Sequence, residues 1–184
     1  MYYDTYMPHL HTAPGQHDFT VSAYIIRLDT PEPTIMLHKH KLLGKYLQFG
    51  GHVELHENPW QALMHEISEE SGYQPEQLKI LQPPVRLAKL TDTTLHPQPL
   101  SIQTHPFGDI DHRHIDIAFA FITNEPPRDA IGEHESADIK TFTVTELAKF
   151  SNQEIIENVR ETAVYVINEL LSQWQPIETS AFKR

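Results

Sequence analysis

Residues 50–73, GGHVELHENPWQALMHEISEESGY, constrain the fold more than any other segment of the chain. Asn58 is a typical helix N-cap, and Pro59 takes the first helical position, where its missing N–H is not needed. Gly72 then supplies a common helix terminator. Between them the apolar residues recur at helical spacing: Trp60, Leu63, Met64 and Ile67. The segment therefore predicts a glycine-containing loop followed by a capped, amphipathic helix.

Three acids share one face of this predicted helix. Glu66, Glu69 and Glu70 are spaced i, i+3 and i+4, so their side chains are neighbours on a helix. Like charges about 6 Å apart repel by about 3 kcal/mol per pair at an effective dielectric of about 20. Most acidic runs are solvated helix faces, where water screens this repulsion. The upstream double glycine and the further acid Glu57 instead favour a divalent cation held among the carboxylates.

The composition limits the classes of protein and partner. The chain has 184 residues, of which 39% are hydrophobic, and this predicts one globular domain over residues 1–184 with an irregular arm at 1–18. The net charge of −11 argues against binding a nucleic-acid duplex, although a bound cation can bridge an acidic protein to a small phosphate-containing molecule. With no cysteine, no apolar run of membrane-spanning length and no signal-peptide pattern at the start, we expect a cytoplasmic protein.

The thirteen histidines are dispersed along the chain. Their dispersion favours the acidic segment over a histidine cluster as the metal site. One group, DHRH at residues 111–114, precedes a strong strand pattern and is a candidate for a substrate contact or for a second metal. A histidine beside a strand is more often structural, so both interpretations stay open.

Strand patterns and helix patterns succeed one another along the chain. The longest helix is predicted at 154–173, a short helical segment at 145–149, and long polar loops at 91–111 and 125–136. Strands are predicted at 19–28, 34–38, 46–49, 78–90 (one strand or a pair), 114–123 and 139–144. Strands followed by helices indicate an α/β layered arrangement around a mixed sheet.

The spacing of the glycines and acids resembles the Nudix box. That family pattern is Gly, five residues, Glu, seven residues, then Arg-Glu-apolar-any-Glu-Glu-any-Gly-apolar. Here Gly51, Glu57 and residues 65–73, HEISEESGY, match both gaps and every glycine and acid. The resemblance extends over about residues 19–170, although only the box is specific. It implies a Nudix-type α/β/α sandwich with a central mixed β-sheet.

The same resemblance implies a reaction and a metal. Members of the family hydrolyse a diphosphate bond in a nucleoside-diphosphate-linked or similar small metabolite, using Mg²⁺ or Mn²⁺. By resemblance, the metal is held by Glu66, Glu69 and Glu70, of which Glu69 and Glu70 are expected to be direct ligands. The resemblance also assigns a metal-binding backbone carbonyl to Gly50 and a bracing or water-mediated role to Glu57.

A general base must take a proton from the attacking water. Glu66 is the first candidate for this role. Relatives also use an acid in the loop before the last strand, where Glu135 is the alternative and Glu133 its rival.

Two positions depart from the Nudix pattern. His65 replaces the arginine that orients neighbouring glutamates in relatives, a role that a guanidinium fork performs better than one imidazole. A protonated His65 would do part of this work, so activity is expected to fall as the pH rises. The alternative is a catalytically impaired domain that binds nucleotides or acts as a regulatory module. Tyr73 replaces an apolar residue, and its ring is expected to pack while its hydroxyl reaches water.

A basic loop offers a further contact for the substrate. Lys39, Lys41 and Lys45 are candidates to bind its phosphate oxygens, although an ordinary exposed loop is the commoner explanation for such residues. Among the aromatics, Trp60 is expected in the core, whereas Tyr46, Phe49 and Phe107 either pack or stack on a base. The N-terminal arm and the C-terminal helix are candidates for a homodimer contact. No motif identifies the substrate.

Overall fold

A mixed eight-stranded β-sheet forms the centre of the computed structural model, which describes residues 12–106 and 111–182. The strands are β1 (His17–Arg27), β2 (Thr34–Lys39), β3 (Tyr46–Leu47), β4 (Lys79–Gln82), β5 (Ser101–Pro106), β6 (Arg113–Thr123), β7 (Ile139–Phe142) and β8 (Gln175–Glu178). The sheet order is β3-β2-β1-β6-β4-β8, with β5 also paired to β6 and β7 to β2. β1 and β6 are parallel along their full length, and the other pairs are antiparallel.

The helices are α1 (Pro59–Ser71), α2 (Val144–Leu147), α3 (Glu157–Tyr165) and α4 (Leu171–Gln173). A π-helical turn at Val166–Leu170 joins α3 to α4. Two 3₁₀ turns, Pro75–Gln77 and Thr179–Ala181, supplement the helices. No helix formed by the described residues combines the length and apolarity that crossing a bilayer requires.

Helix α1 begins and ends where the sequence predicts. The Asn58 side chain accepts hydrogen bonds from the N–H groups of Trp60 and Gln61, and the Gln61 side chain accepts one from the Asn58 N–H. This reciprocal capping box satisfies amide groups that the first turn leaves without a helical partner. Gly72 closes the helix in the left-handed conformation, with φ at 71°.

Two hydrophobic clusters lie on opposite sides of the sheet. On one side, which we call the α1 face, Ile25 and its neighbours pack against Leu63 and Ile67 of α1. On the other, the α3 face, Tyr24 and Ile26 pack with Val159 and Ala163 of α3. Since successive residues of a strand point to opposite faces, β1 contributes to both clusters. The predicted α/β/α sandwich with a central mixed sheet is confirmed.

Some element predictions were wrong in extent. The segment 91–111, predicted to be a loop, contains β5, and β8 follows the C-terminal helix where no strand was predicted. Both strands form by pairing with residues distant in sequence, which local patterns do not reveal. The strand predicted over 78–90 ends at Gln82, because the following Pro83 and Pro84 lack the N–H that a ladder needs.

The sequence also makes predictions for the N-terminal arm and for four aromatic residues. Most of the predicted irregular arm, residues 1–11, lies outside the described residues, and β1 already begins at His17. Trp60, Tyr46 and Phe49 are buried in the two hydrophobic clusters. Phe107 lies outside the described residues.

Candidate active site

Residues 49–53, which we call the glycine segment, are attached directly to β1. Val21 donates a backbone hydrogen bond to the carbonyl of Gly51 at 2.9 Å, and residues 49–53 run antiparallel to the strand. Gly50 has φ at 139°, and a Cβ at this position would overlap the carbonyl oxygen of Val21. Only glycine accepts both conditions, so the double glycine is explained by close backbone approach.

The acids of α1 meet this segment. The N–H of Gly50 donates to Glu70 Oε2 at 2.7 Å, and Glu70 is buried. A Cβ on Gly51 would overlap the carboxylate of Glu66, so that side chain also lies against the loop. The structure thus brings both glycines together with Glu66 and Glu70, although fourteen residues separate Gly51 from Glu66 in the sequence.

Burial and like charge act together on these carboxyl groups. Burial is the main cause that raises the pKa of Glu66 to about 7; His65 opposes the rise, and the charges of Glu135 and Glu69 add to it. Burial likewise raises the pKa of Glu70 well above its ordinary value, with the charge of Glu66 the next cause. A divalent cation among these oxygens would offset the repulsion, which fits the donor chemistry that Mg²⁺ and Mn²⁺ require.

We call the cluster of Glu66, Glu69 and Glu70 beside the glycine segment the acid site. His38 is a neighbour of Glu70 that the sequence did not assign to this site. It lies at the end of β2, is buried, and places Nδ1 3.6 Å from Glu70 Oε1. Burial lowers the pKa of His38 to about 4, so its imidazole is neutral at pH 7. Its proximity depends on the packing of β2 against α1, and the local sequence carries no signal for that.

His65 joins two of the acids. Its Nδ1 lies 3.3 Å from Glu57 Oε1, and its Nε2 lies 3.0 Å from Glu69 Oε1. Burial lowers the pKa of the half-exposed His65, but the hydrogen bond to Glu69 and the surrounding acids outweigh it, so the net shift is upward. One imidazole therefore contacts both a loop acid and a helix acid, as an arginine fork would.

The loop 125–136 covers the C-terminal end of α1. Gly132 donates its N–H to the carbonyl of Glu69 at 2.7 Å, which holds the loop against the helix. Glu135 lies close enough that its charge raises the pKa of both Glu66 and Glu70. Its rival Glu133 is exposed. Of the two loop acids, Glu135 is the one whose charge is felt at the helix acids.

The basic loop divides into different environments. Lys41 Nζ donates to the carbonyl of His134, the residue before Glu135, and so lies beside the acid-bearing loop. Lys45 Nζ donates to the carbonyl of Asn152 at 2.9 Å. Lys39 is exposed at the end of β2. Lys41 therefore contacts the loop that carries Glu135, whereas Lys45 contacts the segment before α3.

The Tyr73 side chain differs from expectation. The ring packs in the α1-face cluster, as predicted, but the hydroxyl does not reach water. It donates instead to the carbonyl of Glu125 at 2.8 Å, and burial raises its pKa to about 12. The loop that supplies the acceptor is distant in sequence, so the buried partner could not be anticipated.

The sequence profile of the NUDIX domain matches residues 18–162, which include the glycine segment, α1 and the acidic loop. The chain belongs to the Nudix family. This membership makes the protein a hydrolase and agrees with the box geometry described above.

Solved structures share the fold. A NUDIX-family hydrolase from Clostridium perfringens is 26% identical, with a TM-score of 0.68 over 83% of this chain and 97% of that chain. The Ap4A hydrolase of C. elegans in a binary complex is 17% identical, with a TM-score of 0.60 over 79% and 92%. A NUDIX hydrolase from Nitrosomonas europaea is 16% identical, with a TM-score of 0.59 over 88% and 93%. Among curated proteins, none matches the sequence significantly.

Proposed function

We propose that this Nudix hydrolase uses a divalent cation to cleave a diphosphate bond in a nucleoside-diphosphate-linked or similar small metabolite. The observation that carries the proposal is the meeting of Glu66 and Glu70 with the Gly50–Gly51 backbone. Buried carboxyl groups with raised pKa values, placed beside a close-packed glycine loop, are a costly arrangement for stability alone.

The acids are assigned as the metal site. Glu66, Glu69 and Glu70, with the carbonyl of Gly50, would hold Mg²⁺ or Mn²⁺. The bound ion would neutralise charge on the diphosphate. His65 contacts Glu57 and Glu69 and keeps the exposed Glu69 carboxylate oriented towards its neighbours.

Proton transfer is assigned to Glu66, with Glu135 as the alternative. The base accepts a proton from water as the water oxygen attacks phosphorus, and the bridging P–O bond breaks to leave two phosphate-containing products. Glu66 suits the role because burial brings its pKa to about 7, near the operating pH. Glu135 is the alternative because its charge acts on both Glu66 and Glu70.

The family and the charges around the acids support the proposed substrate class. The C. elegans relative is an Ap4A hydrolase, which supports a nucleotide-like substrate with linked phosphates. Lys41, held beside the acidic loop, and the exposed Lys39 are proposed to bind phosphate oxygens. Lys45 would have to leave the carbonyl of Asn152 to do so.

A metabolite panel tests the proposal. The full chain is incubated with nucleoside diphosphate sugars, dinucleoside polyphosphates and related compounds, with Mg²⁺, with Mn²⁺ and with a chelator, and products are separated chromatographically. We expect metal-dependent cleavage at a phosphoanhydride, and a loss of about 100-fold or more in Glu66→Gln. Glu161→Gln, at an exposed glutamate of α3, is the matched control and should retain full activity.

Two results would overturn the proposal. The first is cleavage that persists unchanged in Glu66→Gln, Glu69→Gln and Glu70→Gln. The second is tight nucleotide binding with no cleavage under any metal condition, which would identify the catalytically impaired binding module instead.

A further inference from the structure

Histidines from separate segments converge at the start of β6. His52 comes from the glycine segment, while His112 and His114 flank the first residue of β6. One possible ligand atom from each imidazole lies within 4.8 Å of those of the other two. The ring centroids of His52 and His114 are 4.8 Å apart, and those of His112 and His114 are 5.2 Å apart. Three nitrogen donors therefore surround one small volume.

Strand register explains this convergence. Asp18 of β1 is paired with His114 of β6, and Thr20 is bridged on its other side to His52. Directly paired residues point to the same face of a sheet. That face is the α3 face, because Tyr24 has the same parity along β1 and packs against α3. The histidines thus lie on the opposite side of the sheet from the acids of α1.

Two of the three histidines are buried. His112 is 3% exposed and His114 is 6% exposed, whereas His52 is half-buried. Burial, together with the neighbouring His52, His105 and His112, lowers the pKa of His114 to about 3. A neutral imidazole is the form that binds a metal ion, and His114 is in that form at neutral pH.

A carboxylate completes the surroundings. Asp18 is 4% exposed, and its Oδ2 lies 3.3 Å from His112 Nε2. The other ring nitrogen of His112 lies 3.4 Å from the Thr12 hydroxyl. A buried carboxylate beside a histidine commonly supports a metal-binding imidazole and supplies part of the negative charge that a dication needs.

We propose that His52, His112 and His114 bind one first-row transition-metal dication of the Zn²⁺ type, supported by Asp18. Imidazole nitrogens suit zinc and its neighbours, whereas Mg²⁺ prefers oxygen ligands. In a tetrahedral site with Zn–N distances of about 2.0–2.1 Å, the nitrogens are about 3.3–3.4 Å apart. Small side-chain rotations bring three atoms that lie within 4.8 Å to that separation.

The position of the site gives the ion a structural role. The ion would link residues 49–53 to β6 across the N-terminal part of β1. Gly50 and Gly51, which contact the carboxylates, belong to that same segment. The ion would therefore stiffen the loop of the acid site from the far side of the sheet, and its binding does not depend on hydrolysis.

Zinc titration of the full chain tests the proposal. Protein without an affinity tag is titrated with Zn²⁺ against a chromogenic chelator in excess Mg²⁺, which keeps hard-metal sites occupied. We expect one tightly bound equivalent in the wild type. Asp18→Asn should weaken binding by about 10–100-fold, and His112→Gln and His114→Gln by more than that. Circular dichroism checks that each variant is folded.

Two controls separate this site from the acid site. His17→Gln changes an exposed histidine of β1 that neighbours Asp18, and should leave zinc affinity unchanged. The double variant Glu69→Gln, Glu70→Gln should also bind zinc normally, although the proposed function predicts that it no longer hydrolyses substrate. Zinc binding and hydrolysis are measured separately, so either proposal can fail while the other holds.

X-ray absorption of the zinc-loaded wild type covers the case of a variant that does not fold. We expect three imidazole nitrogens at about 2.0 Å from the ion. Zinc coordinated by carboxylates alone would overturn the proposal. So would a wild type that binds no stoichiometric zinc in excess Mg²⁺, or folded His112→Gln and His114→Gln variants with wild-type affinity.

Discussion

The acid site and the histidine site lie on opposite faces of one sheet and are assembled in different ways. Glu66, Glu69 and Glu70 belong to a single helix, so local geometry alone makes them neighbours. His52 and His114 are far apart in sequence and meet only because β1 is paired on both sides. A side-chain cluster built on one helix is visible as a motif, whereas one built by strand register is not.

The electrostatics of the two sites also differ. At the acid site, buried like charges raise the pKa of Glu66 and Glu70, so that an oxygen-preferring cation is favoured. At the histidine site, burial keeps His114 neutral and a nitrogen-preferring ion is favoured. The glycine segment connects the two, since Gly50 contacts an acid and His52 contacts a histidine.

Glu70→Gln is expected to give the largest difference between the effect on hydrolysis and the effect on zinc binding. This change keeps the side-chain size but removes a carboxyl group that we propose as a ligand of the catalytic metal. We expect kcat with Mg²⁺ to fall by about 100-fold or more, equivalent to about 3 kcal/mol. Zinc affinity should not change. Steady-state kinetics on the substrate found by the panel, with zinc titration in parallel, measure both, and a joint loss would contradict the independence of the sites.

Gly50→Ala is expected to damage both sites. Its added methyl would overlap the Val21 carbonyl at a backbone conformation that favours glycine, so we expect a destabilisation of about 3 kcal/mol or more. For a chain of this size the Tm should fall by about 6–12 °C. Calorimetry measures the change, and activity and zinc affinity should fall with it.

Gly44→Ala is the matched control for Gly50→Ala. Gly44 also has a positive φ, at 65°, but a Cβ there would meet nothing within 4 Å. We expect only the conformational penalty of about 1 kcal/mol. Equal destabilisation by the two alanines would show that contact with β1 is unimportant.

Substitution of His65 is expected to affect the acid site alone. His65→Ala removes the contacts to Glu57 and Glu69, and we expect kcat/KM to fall by about 10–100-fold. His65→Arg should retain activity, because a guanidinium fork reaches both carboxylates. Kinetic assays of the two variants measure this difference. An arginine variant as impaired as the alanine variant would show that the side chain is not an orienting group.

The smallest effect is expected from Tyr73→Phe, which leaves both sites intact. At pH 7 the loss of the hydrogen bond to Glu125 should destabilise the fold by about 1 kcal/mol. Burial raises the pKa of Tyr73 to about 12, so above pH 10 the unfolded chain loses this proton first. The tyrosine contribution should therefore be lost between pH 10 and about 12.

Urea denaturation of the wild type and of Tyr73→Phe at pH 7, 10 and 11 checks the direction of this pH dependence of stability. The stability difference should shrink as the pH rises. A difference that is independent of pH would show that the tyrosine is not held in its neutral form by burial.

The local predictions that were confirmed share one cause. The N-cap at Asn58 and the end of α1 at Gly72 depend on neighbours within a few residues, and both appear as predicted. The prediction for 91–111 was wrong because β5 exists only by pairing with β6. The hydroxyl of Tyr73 was assigned to water because its true acceptor, Glu125, is supplied by a distant loop.

The amino-acid sequence by itself determined the family, the layered fold and the helix that presents Glu66, Glu69 and Glu70. It also marked the position where glycine is required. Only the tertiary structure decided that His65 contacts two acids, that His38 lies beside Glu70, and that three dispersed histidines meet. The physical reason is that helix geometry depends on nearby residues, whereas contacts across a sheet depend on register, which the whole fold sets.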